Sequence, residues 1–284
     1  MLKIASIVVT YNRLELLKKV ISSLKSQTRK LDKIIVVNNS STDGTEQWLA
    51  TEVDVFVVNQ ANTGSSGGQY TGVKTAFELG YDWIWVMDDD VAPDPDCLEN
   101  LLVDIEPDEV RAPFRYNLKG EPMFLEVASI NLKNPFRSIW QEIIKPGDIS
   151  FEKIPVQSVT FEGPIFHRSI VEKIGYPEKS FFIFADDTDY SIRALKVHAK
   201  IFLITKAKLR RLLPEFKEIG RFDWKYFYMI RNIIALDVLH GTLPVRIIRP
   251  WLYFISWLRR SRNFKELGVT IKAFISGYFY KSKN

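Results

Sequence analysis

One cysteine, Cys97, leaves no internal disulfide and no zinc site built on thiolates, and it fits a reducing compartment. Histidine is nearly as scarce, with His167, His198 and His240 the only three. No apolar run approaches the roughly 18 residues needed to cross a bilayer. The first ten residues, Met1 to Thr10, are apolar but lack a charged leader and a small-residue cleavage site, so they read as a strand. These absences describe a chain that is soluble or peripheral to a membrane. Acidic charge is short at one end only. The net charge is +5, yet residues 206–284 hold 17 Lys and Arg against 5 Asp and Glu, which leaves an acidic body and a basic tail.

What is present supports a packed core. Of 284 residues, 46% are hydrophobic and 13% aromatic, enough for one large domain or one domain with an appendage. The most informative stretch is Trp83-Ile84-Trp85-Val86-Met87-Asp88-Asp89-Asp90, an apolar run that drives into three carboxylates. Such a run reads as a strand buried on both faces, and a strand of that kind does not bury unpaired charge. The aspartates therefore belong at its C-terminal end, where open α/β sheets place their ligand crevices. Two readings stand for the triplet: an acidic surface turn, or a cluster whose mutual repulsion a divalent cation relieves.

Three strand–helix units precede it. Ile4 to Thr10, Lys33 to Val37 and Val55 to Val58 are short apolar strands. Leu14, Leu17, Val20, Ile21 and Leu24 follow the first at helical spacing, a helix begins near Thr45, and another runs through Ala76 to Leu79. This alternation predicts a parallel sheet with right-handed crossovers and all strand ends gathered along one edge. Polar loops sit at those ends: Tyr11-Asn12-Arg13, Asn38 to Gly44, and Asn59 to Gly68. The glycines from Gly64 to Gly68 open a helix, where they suit either a flexible turn or close approach to an anion such as a diphosphate.

After a helix at Asp96 to Ile105, residues 107–155 are poorly periodic and read as an insertion or lid with irregular strands. Order returns at Val156 to Thr160 and at a short helix, Ser169 to Ile174. Phe181 to Ala185 is a second apolar run ending in acids, Asp186 and Asp187, with Asp189 beyond; a helix over Thr188 to Lys196 and a strand over Lys200 to Ile204 follow. The acid pair either caps that helix or lines a site. From Lys206 on, aromatics alternate with arginines, with helices expected around Trp224 to Leu239 and Phe264 to Tyr280. Their basic and aromatic sides suit a membrane interface, and equally a helical subdomain packed on the body or between copies of the chain.

Lined up, these pieces resemble an inverting glycosyltransferase of family 2 with a GT-A fold. The resemblance covers about residues 4–205 and rests on Val8 to Arg13, Val36 to Thr45, Asn62-Thr63-Gly64, Asp88-Asp89-Asp90 and Phe184 to Tyr190. The Asn62 to Gly68 loop with the aspartate triplet is most similar to the galactofuranosyltransferase and rhamnosyltransferase branch. It implies a Rossmann-like catalytic domain at 1–205, with a nucleotide-sugar half at about 1–106 and an acceptor half at about 107–205. A helical region at 206–284 would serve the membrane surface or self-association.

The resemblance also implies roles. Thr10, Asn12, Arg13, Asn38, Asn39, Ser40, Asn62, Gly64, Gly67, Gly68, Asp88 and Asp89 would bind the donor. Asp88 to Asp90 would be the DxD motif, with Asp90 and Asp88 holding Mn²⁺ or Mg²⁺ against the diphosphate. Asp187 would be the general base, with Asp186 supporting it or touching the acceptor beside Gly163. The donor implied is UDP-galactofuranose, with dTDP-rhamnose second, and the acceptor a polysaccharide or lipid-linked glycan at the cytoplasmic membrane face. Two features depart from the family. Asn38 stands where an Asp is usual, and Thr205 to Arg211 offers no metal-binding His, so either Asp90, phosphates and water hold the metal or Lys208, Arg210 or Arg211 supplies the positive charge. A non-catalytic nucleotide-sugar-binding subunit is the other reading these departures leave open. Nucleic acid is an unsuitable partner for so acidic a body.

Overall fold

A computed structural model describes residues 2–213 and 223–282. Met1, residues 214–222 of the basic tail and the last two residues lie outside the described part. The alternation opens the fold as expected: β1 (Ile4–Thr10), α1 (Leu14–Lys25), β2 (Lys33–Asn38), α2 (Thr45–Leu49), β3 (Val55–Asn59), α3 (Gly64–Glu78) and β4 (Trp83–Asp88). Then come β5 (Val91–Pro93), α4 (Cys97–Leu102), β6 (Glu109–Tyr116), β7 (Val127–Ile130), β8 (Trp140–Ile143), β9 (Lys153–Pro155), β10 (Ile165–His167), α5 (Arg168–Ile174), α6 (Asp186–Lys196) and β11 (Lys200–Arg211). Three helices close the chain: α7 (Trp224–His240), α8 (Leu243–Arg260) and α9 (Phe264–Tyr278).

The main sheet runs β3-β2-β1-β4-β10-β6-β11-β5, with β9 paired to β11. Pairs β3/β2, β2/β1, β1/β4 and β6/β11 are parallel; β10 runs antiparallel to both β4 and β6. The apolar run of β4 serves both faces of this sheet. Ile84 and Val86 enter one core with Ala5, Ile7 and Val9. Trp83, Trp85 and Met87 enter the other with Ile4, Val8 and α1. Trp85 is fully buried and its indole N–H donates to the Gly163 carbonyl at 2.7 Å. Truncating it to Ala would cost about 3–5 kcal/mol, because the gap cannot refill.

Three sequence expectations change. Within the stretch read as irregular, β6 is a regular, buried central strand. Its apolar pattern is interrupted by Arg111 and Arg115, and each is neutralised by buried acids: Arg111 by Glu109, Arg115 by Glu126 and Glu162. Conversely, the order expected at Val156 to Thr160 is not a regular element, and Ser158 makes an isolated bridge to Val127. β11 continues past Lys206 to Arg211, so the start of the basic tail is sheet.

The closing helices pack on the body and on one another. Ile230 and Ile234 of α7 meet Ala273 and Phe274 of α9. Ala235 and Leu236 of α7 meet Phe181, Ala185 and Ile192. Arg249 of α8 is buried against Asp237 of α7 and donates to the Asn131 and Arg137 carbonyls at 2.9 and 3.1 Å, which ties the helices to the 107–155 insertion. Among the described residues no helix is long and apolar enough to cross a membrane.

Candidate active site

The end of β4 sets the first group of carboxylates. Asp88 pairs with Val9 in the register with β1, so the triplet emerges beside Thr10 and the Tyr11–Arg13 loop. Asp89 turns into the protein. It accepts from Thr10 Oγ1 at 2.7 Å, the Tyr11 amide at 3.3 Å and Arg13 at 2.9 Å. Arg13 also reaches Asp90, at 3.0 Å. Asp88 faces α3, where Gln69 and Ser65 donate to it at 3.2 and 3.3 Å. Burial pushes the pKa values of Asp88 and Asp90 up, and repulsion among Asp88, Asp89, Asp90 and Glu162 pushes them further. Asp90 Oδ1 is buried without a hydrogen-bond partner. A lone carboxylate oxygen in a repulsive cluster is a place that a cation satisfies.

Much of the expected donor set serves as scaffold. Asn38 is buried; its Oδ1 accepts from the Ser41 amide and its Nδ2 donates to Asn59, both at 3.0 Å. Asn39 donates to the Gly64 carbonyl at 3.1 Å and accepts from Gln60 at 2.7 Å, which joins the β2 loop to the β3–α3 loop. Asn12 and Ser40 both have positive φ, and Asn12 Oδ1 accepts from the Thr42 amide at 2.7 Å. Asn62 turns back on the Gly64 amide at 2.9 Å. Gly67 and Gly68 are not loop residues open to an anion but the buried first turns of α3. A Cβ on Gly68 would fall 2.3 Å from Val9, so its smallness lets α3 lie close to β1, whereas one on Gly67 would fall 2.2 Å from the Thr63 hydroxyl, so Gly67 makes room for the cap residue of its own helix. Of the expected donor set, Asn12, Arg13, Ser40 and Asn62 are exposed at this rim and Asp88 is half-buried, as is Ser65 beside it.

The second group arrives differently from expectation. Phe181 to Ala185 is irregular, with φ of 66° at Phe182, 70° at Phe184 and 67° at Ala185. Left-handed backbone at bulky residues is costly and persists only where surroundings impose it. α6 then begins at Asp186, with Ala185 in the cap position, so neither acid is the N-cap. Asp186 is buried and Asp187 half-buried. Burial, then the Asp187 charge, raises Asp186 to about 7. Burial over an apolar lining that includes Val159, Phe161 and Tyr190 raises Asp187 to about 6, against the pull of the Thr188 amide and hydroxyl and of Arg115.

Glu162 links the two groups and was not singled out from sequence. It is held by Arg115 at 2.5 Å, with Arg211 at 3.9 Å, and these arginines keep it ionised despite burial. Its charge acts on Asp88, Asp90 and Asp187, while Asp186 acts on Asp88. The one signal in the sequence that could have found it is an acid beside Gly163, since the strand that carries Arg115 did not read as one. Gly163 holds the turn behind Glu162, donating to the Val86 carbonyl at 2.9 Å. Of the three tail cations, Arg211 acts on Asp90, whereas Lys208 and Arg210 are exposed and Lys208 lies over the Tyr116 ring at 5.8 Å.

The histidines stand outside this chemistry. His167 caps α5 through the Ser169 amide. His240 bonds Asp189 at 2.7 Å, joining α7 to α6. Among the described residues no group of three or more His, Cys, Asp or Glu could by itself hold a metal ion. A cleft of about 440 Å³ lies within the insertion, among β7, β8 and β9, and its lining contains none of these carboxylates.

Comparison with known proteins gives a consistent result. Residues 6–175 match the profile described as "Glycosyl transferase family 2". The chain is similar to a galactofuranosyltransferase, GlfT1, of Mycolicibacterium smegmatis, at 27% identity over 93% of each chain. Its fold is similar to the crystal structure of GalNAc-T7 with UDP, GalNAc and Mn²⁺, at a TM-score of 0.66, 11% identity, 99% of this chain and 55% of that one. It is similar also to S. aureus TarS 1-349 in complex with UDP-GlcNAc, at a TM-score of 0.61, 17% identity, 98% of this chain and 82% of that one. These likenesses carry the GT-A fold.

Proposed function

The chain belongs to glycosyl transferase family 2, and from that premise we propose that it transfers a galactofuranosyl group from UDP-galactofuranose to a hydroxyl of a polysaccharide or lipid-linked glycan, with inversion. The observation that carries this reading is the meeting of two carboxylate groups from distant parts of the chain. Asp186 acts on the ionisation of Asp88, and Glu162 acts on Asp88, Asp90 and Asp187. The adjacent Ser65 and Ser66 of α3 bond Asp88 and the Phe182 carbonyl, at 3.3 and 3.2 Å. One group suits a nucleotide diphosphate, the other a hydroxyl that must lose its proton. The similarity to a galactofuranosyltransferase over nearly the whole chain favours the sugar.

The donor lies across the ends of β1, β2 and β4. Its nucleotide meets the Asn12 and Ser40 loops, and its diphosphate meets Asp88, Asp90 and the α3 start. When bound there by Asp88 and Asp90, Mn²⁺ or Mg²⁺ supplies positive charge beside the leaving diphosphate. The lone Asp90 Oδ1 and the raised Asp88 and Asp90 fit that group. Arg211 adds positive charge on the same side. The acceptor hydroxyl gives its proton to Asp187 as its oxygen bonds the anomeric carbon, from the face opposite the nucleotide. The anomeric carbon–oxygen bond to the diphosphate breaks in the same displacement, and UDP leaves with that electron pair. Asp187 suits the base because it is the more accessible of the pair and its pKa of about 6 is poised near neutrality.

The enzyme works at the inner face of the cell membrane on this reading. Leu243, Ile247, Trp251 and Ile255 recur every four residues along α8 and are exposed, with exposed Arg246, Arg259 and Arg260 on the same helix. A dimer through this face is the competing occupant. UDP release by the purified protein from UDP-galactofuranose, compared with dTDP-rhamnose and UDP-galactopyranose with and without Mn²⁺, tests the donor. Turnover of dTDP-rhamnose alone would replace the galactofuranosyl reading.

A further inference from the structure

We propose that Asn232, in the C-terminal helix α7, is a positioning residue that holds the acid-bearing segment in its working conformation. This rests on the reading of Asp187 as the base and deepens it.

Beyond a short 3-10 turn that ends at Phe181, the segment forms no regular structure, and its one internal bond to these carbonyls is from the Ile183 amide to Phe181, at 2.7 Å. The carbonyls from Ser180 to Phe184 are otherwise met by groups from elsewhere in the chain. Asn232 Nδ2 donates to the Phe181, Ile183 and Phe184 carbonyls at 3.0, 2.8 and 2.8 Å. Arg231 donates to those of Ser180 and Phe181 at 2.7 and 2.9 Å. The Ser66 amide, in the first turn of α3, donates to that of Phe182 at 3.2 Å. Asn232 is fully buried, and its own Oδ1 accepts from Arg231 Nε at 2.8 Å. That bond fixes which end of the amide faces the carbonyls.

An asparagine inside an apolar helix is otherwise unfavourable, since burying an amide without partners costs stability. Here its partners are three carbonyls of a segment that includes three left-handed residues, Phe182, Phe184 and Ala185, directly before Asp186. Without Asn232 the half-buried Ile183 and Phe184 carbonyls lose their side-chain donor, while Phe181 keeps Arg231, and the segment has less reason to keep its strained φ angles. The acids would then lose their placement relative to Asp88, while the donor-binding strand ends stay intact. Asn232 does not reach the acids; it acts through the backbone that carries them.

The test combines exchange and kinetics on the full chain. In Asn232→Ala, hydrogen–deuterium exchange at the amides of residues 182–188 should quicken at least about tenfold, with β1 and β4 unchanged. UDP release from UDP-galactofuranose with an octyl galactofuranoside acceptor should lose about 10²-fold in kcat, with donor KM within about threefold. Asn232→Ser, which keeps one donor, should fall between. Arg231→Lys, which keeps the Asn232 side chain but removes the Nε bond that orients it and two of the segment's donor bonds, should loosen the same amides more weakly, and it serves if Asn232→Ala does not fold. Exchange within twofold of wild type in these variants overturns the proposal, as does faster exchange with kcat unchanged. Full turnover in Asp187→Asn is a separate result that overturns the base assignment and leaves the exchange comparison to decide whether Asn232 holds the segment.

Discussion

Gly64 and Phe182 meet backbone to backbone. A Cβ built on Gly64 would lie 2.0 Å from the Phe182 carbonyl oxygen, and Gly64 has a φ of 76°. Both facts demand glycine. The start of the donor-side helix therefore presses on the segment that carries the acid pair. Gly64→Ala should cost about 1–3 kcal/mol in chemical denaturation and lower kcat together with donor affinity. A variant with wild-type stability and turnover would show that the contact is dispensable.

Asp187→Asn should lower kcat by about 10²–10⁴-fold, because the amide cannot take the acceptor proton. UDP binding, followed by calorimetry, should stay within a few-fold of wild type. Equal loss of UDP binding would assign Asp187 to the donor instead.

The ionisation of the pair sets the pH profile. As the proposed base, Asp187 must be a carboxylate to act, and its pKa is raised to about 6. Activity should therefore fall as pH drops through about 6, not through the ordinary carboxylate range. Stability moves the other way. A carboxyl whose folded pKa is raised is stabilising when protonated, and that stability is lost as pH rises from 3.8 through about 7 for Asp186. Asp186→Asn should thus raise stability relative to wild type at pH 8, with the gain fading toward pH 4. A pH-independent difference would refute the shift.

The three neighbouring aspartates should respond differently. Asp90→Ala should weaken UDP binding measured with Mn²⁺ and leave metal-free binding little changed. Asp89→Ala should chiefly destabilise, by about 1–3 kcal/mol, because it strands the buried Thr10 hydroxyl and removes one of the two carboxylates that hold Arg13. The same loss of metal-dependent binding in both would erase the distinction.

Cosedimentation with vesicles containing anionic phosphatidylglycerol should be reduced in Trp251→Ser/Ile255→Ser and should fall with added salt. A salt-independent dimer disrupted by the same substitutions would assign the α8 face to self-association.

The β4 stretch was legible because two independent rules agree on it: a two-faced apolar strand, and the cost of burying charge. The Phe181 to Ala185 run looked similar in composition but is not a strand. Short apolar runs do not declare their backbone, and the groups that bend this one, Asn232 and Ser66, lie far away in the chain. The Arg115–Glu162 pair was hidden for the same reason, since 47 residues separate partners that only the sheet brings together. Asn38 was legible as a strand-end residue, but not as one whose amide is spent on Ser41 in its own turn and on Asn59 at the end of β3.

The junction of Gly64, Phe182 and Asn232 has a consequence for engineering and descent. The two halves of this enzyme are not interchangeable cassettes. A chimera that takes residues 1–106 from one relative and the remainder from another would inherit a glycine, a bent segment and a helix amide shaped by different histories. Donor specificity should therefore transfer only when the α3 start, the 181–185 segment and α7 travel together.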